Sequence, residues 1–158
     1  MGIDKREATL SWLSQKQWIS PFAITLSMKQ RCPDTGVALD SVTASRNFRH
    51  FSNILNRKCL GSAFKRYGQR VQMFPVLEGG NGMRLHYHVI ADCPRSDISP
   101  IFPDLVREAW TQTHWGYYET DVQPCDMGWL DYILKLRDKP SFESALDWQN
   151  CHLRQRPA

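Results

Sequence analysis

Apolar residues recur along this chain at two spacings. In PFAITLSMKQ (21–30), RVQMFPVLE (70–78), RLHYHVIAD (84–92) and GYYETDVQP (116–124) they form short runs rich in β-branched and aromatic residues, which predict strands. Elsewhere the spacing lengthens to three and four. Phe48, Phe51 and Leu55 mark a helix face within 40–66, and Phe102, Leu105, Val106 and Ala109 mark another over 99–113. Trp129, Leu130, Ile133 and Leu134 form an apolar stripe in WLDYILKL, with Tyr132 and Lys135 on its other side at i, i+3. A first helix precedes residue 21, and the tail from Pro140 reads as a short helix followed by a polar, frayed terminus. The predicted order αβαββαβα gives an α+β fold: a central antiparallel sheet, or a mixed one, with helices packed on it.

The strand 84–92 carries an unusual pair. Side chains alternate faces along a strand, so His86 and His88 project together while Tyr87 and Val89 project the other way. The glycine-rich GGNGM joins this strand to 70–78 as a hairpin. A register with Glu78 opposite Arg84 and Val76 opposite His86 puts residues 76, 78, 84, 86 and 88 on one side. A one-residue slip would send the glutamate to the opposite face.

Composition bounds the rest. With 158 residues, 42% hydrophobic, the chain reads as one domain over 1–158 that can bury a real core. A net charge of +4 and a pI of about 8.9 suit a polyanionic partner without demonstrating one. Cysteines 32, 59, 93, 125 and 151 are odd in number and lack a C-x-x-C pair, so they read as reduced thiols rather than a disulfide framework or cysteine zinc site. The N-terminal stretch lacks the apolar core of a signal peptide, and no apolar run approaches the roughly 20 residues that span a bilayer. A cytoplasmic location is expected for a prokaryotic chain, and the host nucleus for one from a eukaryotic virus.

Two imidazoles and one carboxylate, Glu78, His86 and His88, form the set that holds a divalent metal with positions left open. Tyr132, off the apolar stripe and beside Lys135, is a candidate nucleophile next to a cation. Arg46, Arg49 and Arg57 make a basic helix stripe that suits phosphates, and Trp115, Tyr117 and Tyr118 offer rings on which single-stranded bases stack.

In these motifs the chain resembles the HUH endonucleases, most closely the single-tyrosine rolling-circle replication initiators. Phe22-Ala-Ile-Thr-Leu-Ser is similar to the family's first motif, and His86-Tyr87-His88 to its histidine, bulky residue, histidine motif. Glu78 has the spacing of the acidic metal ligand in viral initiators, and Tyr132-Ile-Leu-Lys135 resembles Y-x-x-K. The matches run in the family's order from 22 to 135. The resemblance implies an HUH nicking-domain fold and a Mg2+ or Mn2+ ion on Glu78, His86 and His88. It also implies attack by Tyr132, assisted by Lys135, that nicks single-stranded DNA at a melted origin and later rejoins it through a 5′-phosphotyrosine.

Positions 128 and 136 are glycine and leucine, so a second tyrosine one turn from the first is lacking. The chain has no G-x-x-x-x-G-K-[ST] loop and hence no helicase domain, so a separate helicase or supercoiling would have to open duplex DNA. Single-strand transposases and mobilisation relaxases share the chemistry and are the nearest rivals; a non-enzymatic DNA-binding protein is a remote one. A zinc isopeptidase pattern would need an aspartate at Ser99, and a histidine-triad hydrolase would need a histidine at Ile90.

Overall fold

The computed structural model describes residues 5–80, 82–126, 128–134 and 145–154. Along the chain these form α1 (Lys5–Ser14), β1 (Pro21–Met28), α2 (Ser41–Leu60), α3 (Ser62–Tyr67), β2 (Gln72–Gly80), β3 (Met83–Asp92), a 3-10 turn (Ser96–Ile101), α4 (Phe102–Thr111), β4 (Gly116–Pro124), α5 (Gly128–Leu134) and a short 3-10 turn (Trp148–Asn150). The four strands make one antiparallel sheet in the order β2-β3-β1-β4. This is the expected α+β architecture.

The order has a consequence for the site. Because β3 runs antiparallel to both β1 and β2, those two strands are parallel, joined by α2 and α3 with β3 between them. Likewise β3 and β4 are parallel, joined by α4 with β1 between. These are two interlocked split β-α-β units, and right-handed crossovers put both connecting helices on the same side of the sheet. Ile24, Leu26, Tyr87, Val89 and Ala91 point to that side and pack, fully buried, against Phe48, Phe51 and Leu55 of α2 and Val106 and Trp110 of α4. The histidines, at the alternate positions, point to the side the crossovers leave free.

That second side is only partly covered. Leu13 of α1, Leu130 of α5 and Ala145 and Leu146 of the tail pack on Phe74, Val76 and Ile90. They cover the half of the sheet away from the β2–β3 hairpin, so the hairpin end carries the polar groups.

Two expectations are corrected. The helix predicted over 40–66 is broken in two: Asp40 caps it by accepting from the Thr43 N–H at 2.7 Å, and Gly61, at φ +49°, ends α2 before α3 begins. The frayed tail, too, is ordered over 145–154. Leu146 and His152 bridge to Val76 and Met73, so the tail lies along the outer edge of β2. Pro75 explains why this edge takes a tail and not a full strand. Its carbonyl accepts from Asp147 N–H, so its missing donor faces the same edge and interrupts the ladder there.

Candidate functional site

Glu78, His86 and His88 converge on the free side of the sheet. The donor atoms of the three all lie within 4.8 Å of one another. The Nε2 atoms of His86 and His88 are 3.2 Å apart and stand 3.2 and 3.1 Å from Glu78 Oε2. Ligands about 2.1 Å from a common ion are themselves roughly 3.0–3.4 Å apart, so the three are already at ligand spacing. Their side chains are half-buried, His88 the most at 12% exposed.

The second nitrogen of each ring fixes which one faces the cluster. His86 Nδ1 lies 3.0 Å from the Arg84 carbonyl oxygen, which can only accept, so Nδ1 carries the proton and Nε2 is left with its lone pair. His88 Nδ1 meets Thr25 Oγ1 at 3.2 Å, a hydroxyl that can accept from the same tautomer. Outer partners of this kind orient metal-ligating imidazoles. Two imidazoles and one carboxylate at this spacing could hold a metal ion.

The register differs from the expected one. Glu78 pairs with His86 and Val76 with His88, two residues along from the predicted pairing. A two-residue shift preserves the face, so the glutamate still joins the histidines. A bulge makes this possible: the register slips by one between Glu78–His86 and Gly80–Met83. Continued without the slip, the Gly80–Met83 register would set Glu78 opposite Leu85, on the wrong face. Gly79 sits in the bulge at φ +102°, and a Cβ there would fall 2.1 Å from the Arg84 carbonyl oxygen.

Tyr132 stands on the same side, 55% exposed, with its ring 6.1 Å from that of His88. It stacks on Trp129 at 4.9 Å and 20°, and Trp129 in turn meets the His88 ring edge-on at 5.5 Å and donates its indole N–H to the Val89 carbonyl at 3.2 Å. Trp129 is therefore only partly buried in the stripe that helical spacing predicted, while Leu130 fills that role at 0% exposed; the side chains of Ile133 and Leu134 lie outside the described ones. Arg6 of α1 clasps α5 through Asp131 at 2.7 Å. A groove of about 720 Å3 beside these rings is lined by Thr25, Asp121, Gln123, Asp126, Trp129 and Tyr132, among others. Lys135 lies outside the described residues.

The remaining candidates are placed elsewhere. Arg46, Arg49 and Arg57 are exposed on α2, which packs on the other side of the sheet, so the basic stripe does not share a face with the cluster. Tyr117 and Tyr118 meet at 4.4 Å between ring centroids, on the β4 edge. Trp115 is turned to His114 at 5.5 Å, and its backbone N–H is bound by Asn47. Arg84, which alternation put on the histidine face without a role, has its guanidinium 6.0 Å from the centroid of the Tyr117 ring. Thr25 and Trp129 were missed, because their roles arise from contacts between distant segments.

Compared with protein-family models, curated proteins and solved structures, the chain matches none.

Proposed function

We propose that this chain is a metal-dependent nicking and joining enzyme for single-stranded DNA that works through a covalent 5′-phosphotyrosine, as in the HUH endonucleases its motifs resemble, and that it initiates and terminates rolling-circle replication. The observation that carries the reading is the juxtaposition of Tyr132 with His88, rings 6.1 Å apart, on the sheet face that gathers Glu78 and His86.

Glu78 Oε2 and the two Nε2 atoms would hold the cation, Mg2+ or Mn2+ in this reading, which when bound polarises a non-bridging oxygen of the scissile phosphate. The residues of the chain do the rest. Stacking on Trp129 limits the rotation of the Tyr132 ring and holds it beside the cluster. Tyr132 Oη loses its proton and bonds to phosphorus, the bond from phosphorus to the 3′ oxygen breaks, and a free 3′ hydroxyl leaves. When a 3′ hydroxyl attacks in turn, its proton is released, the phosphodiester re-forms and Tyr132 is freed. Lys135, three residues after Tyr132 in sequence, would assist as the lysine of the Y-x-x-K resemblance, by favouring phenolate or by helping to position the phosphate. Single-stranded substrate comes from a melted origin, opened by supercoiling or by a separate helicase.

The test is capture. With Mn2+ and a single-stranded origin oligonucleotide, the protein should form an SDS-resistant DNA adduct without ATP. Tyr132→Phe should bind DNA and form none, and His86→Ala/His88→Ala should stay folded by circular dichroism and form none. A full adduct in Tyr132→Phe, or in excess chelator, would overturn the reading. Sequencing the captured DNA separates a single replication origin from the paired ends of a transposon.

A further inference from the structure

A second polar cleft lies at the outer edge of β2, where α2 and the tail meet. It occupies about 590 Å3 between the N-terminal half of α2 and the tail, within the roughly 300–1,000 Å3 range of small-molecule sites. Ser41, Ser45, Arg46, Arg49, Asp147 and Trp148 are among its walls. Arg46 and Arg49 stand one turn apart at i, i+3, and both are exposed. Among the described residues, neither makes an ion pair with a carboxylate.

Their freedom is built into the cleft. Asp147 is the one carboxylate among the described residues of its lining, and both of its oxygens are taken by neutral donors. Oδ1 accepts from Ser45 Oγ at 3.0 Å, and Oδ2 accepts from the Tyr87 hydroxyl at 2.7 Å and from Asn150 Nδ2 at 2.8 Å. Tyr87 and Asn150 are buried, so this network forms a rigid floor that ties the tail to the sheet and leaves the guanidiniums to the solvent side. Trp148, 48% exposed, is steadied by ring contacts to Trp12 and Phe74. Positive potential continues along this edge: burial first, then Arg70 and Arg49, hold His152 below its usual range.

We infer that this cleft binds the phosphate of a nucleotide, with Arg46 and Arg49 gripping the phosphate oxygens and Trp148 alongside the base. Two guanidiniums that make no ion pair among the described residues present several N–H donors, each set in the plane of its guanidinium, the arrangement that matches a phosphate. An indole at the rim supplies the apolar surface that a base covers and a bare phosphate does not. The same chemistry is carried by a free nucleotide and by a nucleotide within a strand. The inference does not rest on the nicking reading, because none of Glu78, His86, His88 and Tyr132 lines this cleft.

The experiment is a titration of the full chain with thymidine 5′-monophosphate, inorganic phosphate and thymidine, read by calorimetry and by the Arg Nε–H resonances. The nucleotide should bind more tightly than phosphate and shift the Arg46 and Arg49 signals, and thymidine should shift neither. Arg46→Gln/Arg49→Gln, both exposed and so compatible with folding, should weaken the nucleotide about tenfold or more, while His86→Ala/His88→Ala should leave it unchanged. An oligothymidylate without terminal phosphates that competes for the same resonances assigns the site to the strand, and one that does not assigns it to the free nucleotide. Undiminished nucleotide binding in the double arginine variant, or thymidine binding as well as its monophosphate, would overturn the inference.

Discussion

Thr25 and the Arg84 carbonyl orient the two histidines that could hold a metal ion, because each meets an Nδ1 and so leaves an Nε2 facing Glu78. Removing such an outer partner weakens metal binding about 10- to 100-fold in comparable sites. Thr25→Val keeps the shape of the side chain and deletes the hydroxyl, so Mn2+ titration should give an affinity at least about tenfold lower; an unchanged affinity would mean that Thr25 only packs. At the same scale, the cysteines separate sharply in reactivity. Hydrogen bonds from Thr35, then from His114, then from the Thr35 and Asp34 backbone lower Cys32 to about 7. Burial pushes Cys59 and Cys151 up to about 12. A lowered pKa means that the thiolate accumulates as pH rises through about 7, so alkylation by iodoacetamide should rise over that range and fall first on Cys32. Mass spectrometry that finds Cys59 or Cys151 modified earlier would refute it.

Among the elements, the β2–β3 hairpin decides whether the cluster exists, since its bulge keeps the carboxylate on the histidine face. Gly79→Ala sets a Cβ 2.1 Å from the Arg84 carbonyl oxygen and asks an L residue to hold φ +102°. Gly80→Ala keeps an unfavourable φ of +94° but meets nothing within 4 Å. Denaturant unfolding should therefore show a loss above about 2 kcal/mol for the first and nearer 1 kcal/mol for the second, with metal binding lost in the first alone. Equal effects would show that backbone strain matters and the close approach does not. The face was legible in the sequence because alternation along each strand is fixed by the chain. The register was not, since it depends on where the bulge falls.

Across the whole molecule, Asp92 joins three segments that are far apart in sequence. It is fully buried in β3, accepts from Ile19 N–H at 3.0 Å and Ser20 N–H at 2.6 Å just before β1, and pairs with Arg154 of the tail. Deleting one partner of a buried ion pair costs about 3–5 kcal/mol, because the remaining donors lose their acceptor. Asp92→Ala should lower stability by about that much in thermal or urea unfolding, and a loss below about 1 kcal/mol would show that water replaces the carboxylate at little cost. No helix among the described residues is long and apolar enough to cross a membrane.

By itself the sequence determined the elements and their order, through spacing, and it determined that His86 and His88 share a face, because side-chain direction along a strand is a local property. Glu78 and Tyr132 were read as candidates by the same local logic. Only the tertiary structure decided what stands beside them. The split β-α-β crossovers put α2 and its arginines across the sheet from the cluster, although the sequence offered both as groups that meet DNA phosphates. The tail, which read as polar and frayed, is fixed by the open edge of β2 and by the buried hydroxyl of Tyr87, the latter 60 residues from its Asp147 partner and the former farther still along the chain. Trp129 reads as core by helical spacing and becomes the surface on which Tyr132 stacks, because Val89 offers a carbonyl to its indole. Periodicity reports which way a residue points on its own element, whereas the groups it meets are set by long-range pairing and crossover handedness, for which no local pattern carries a signal.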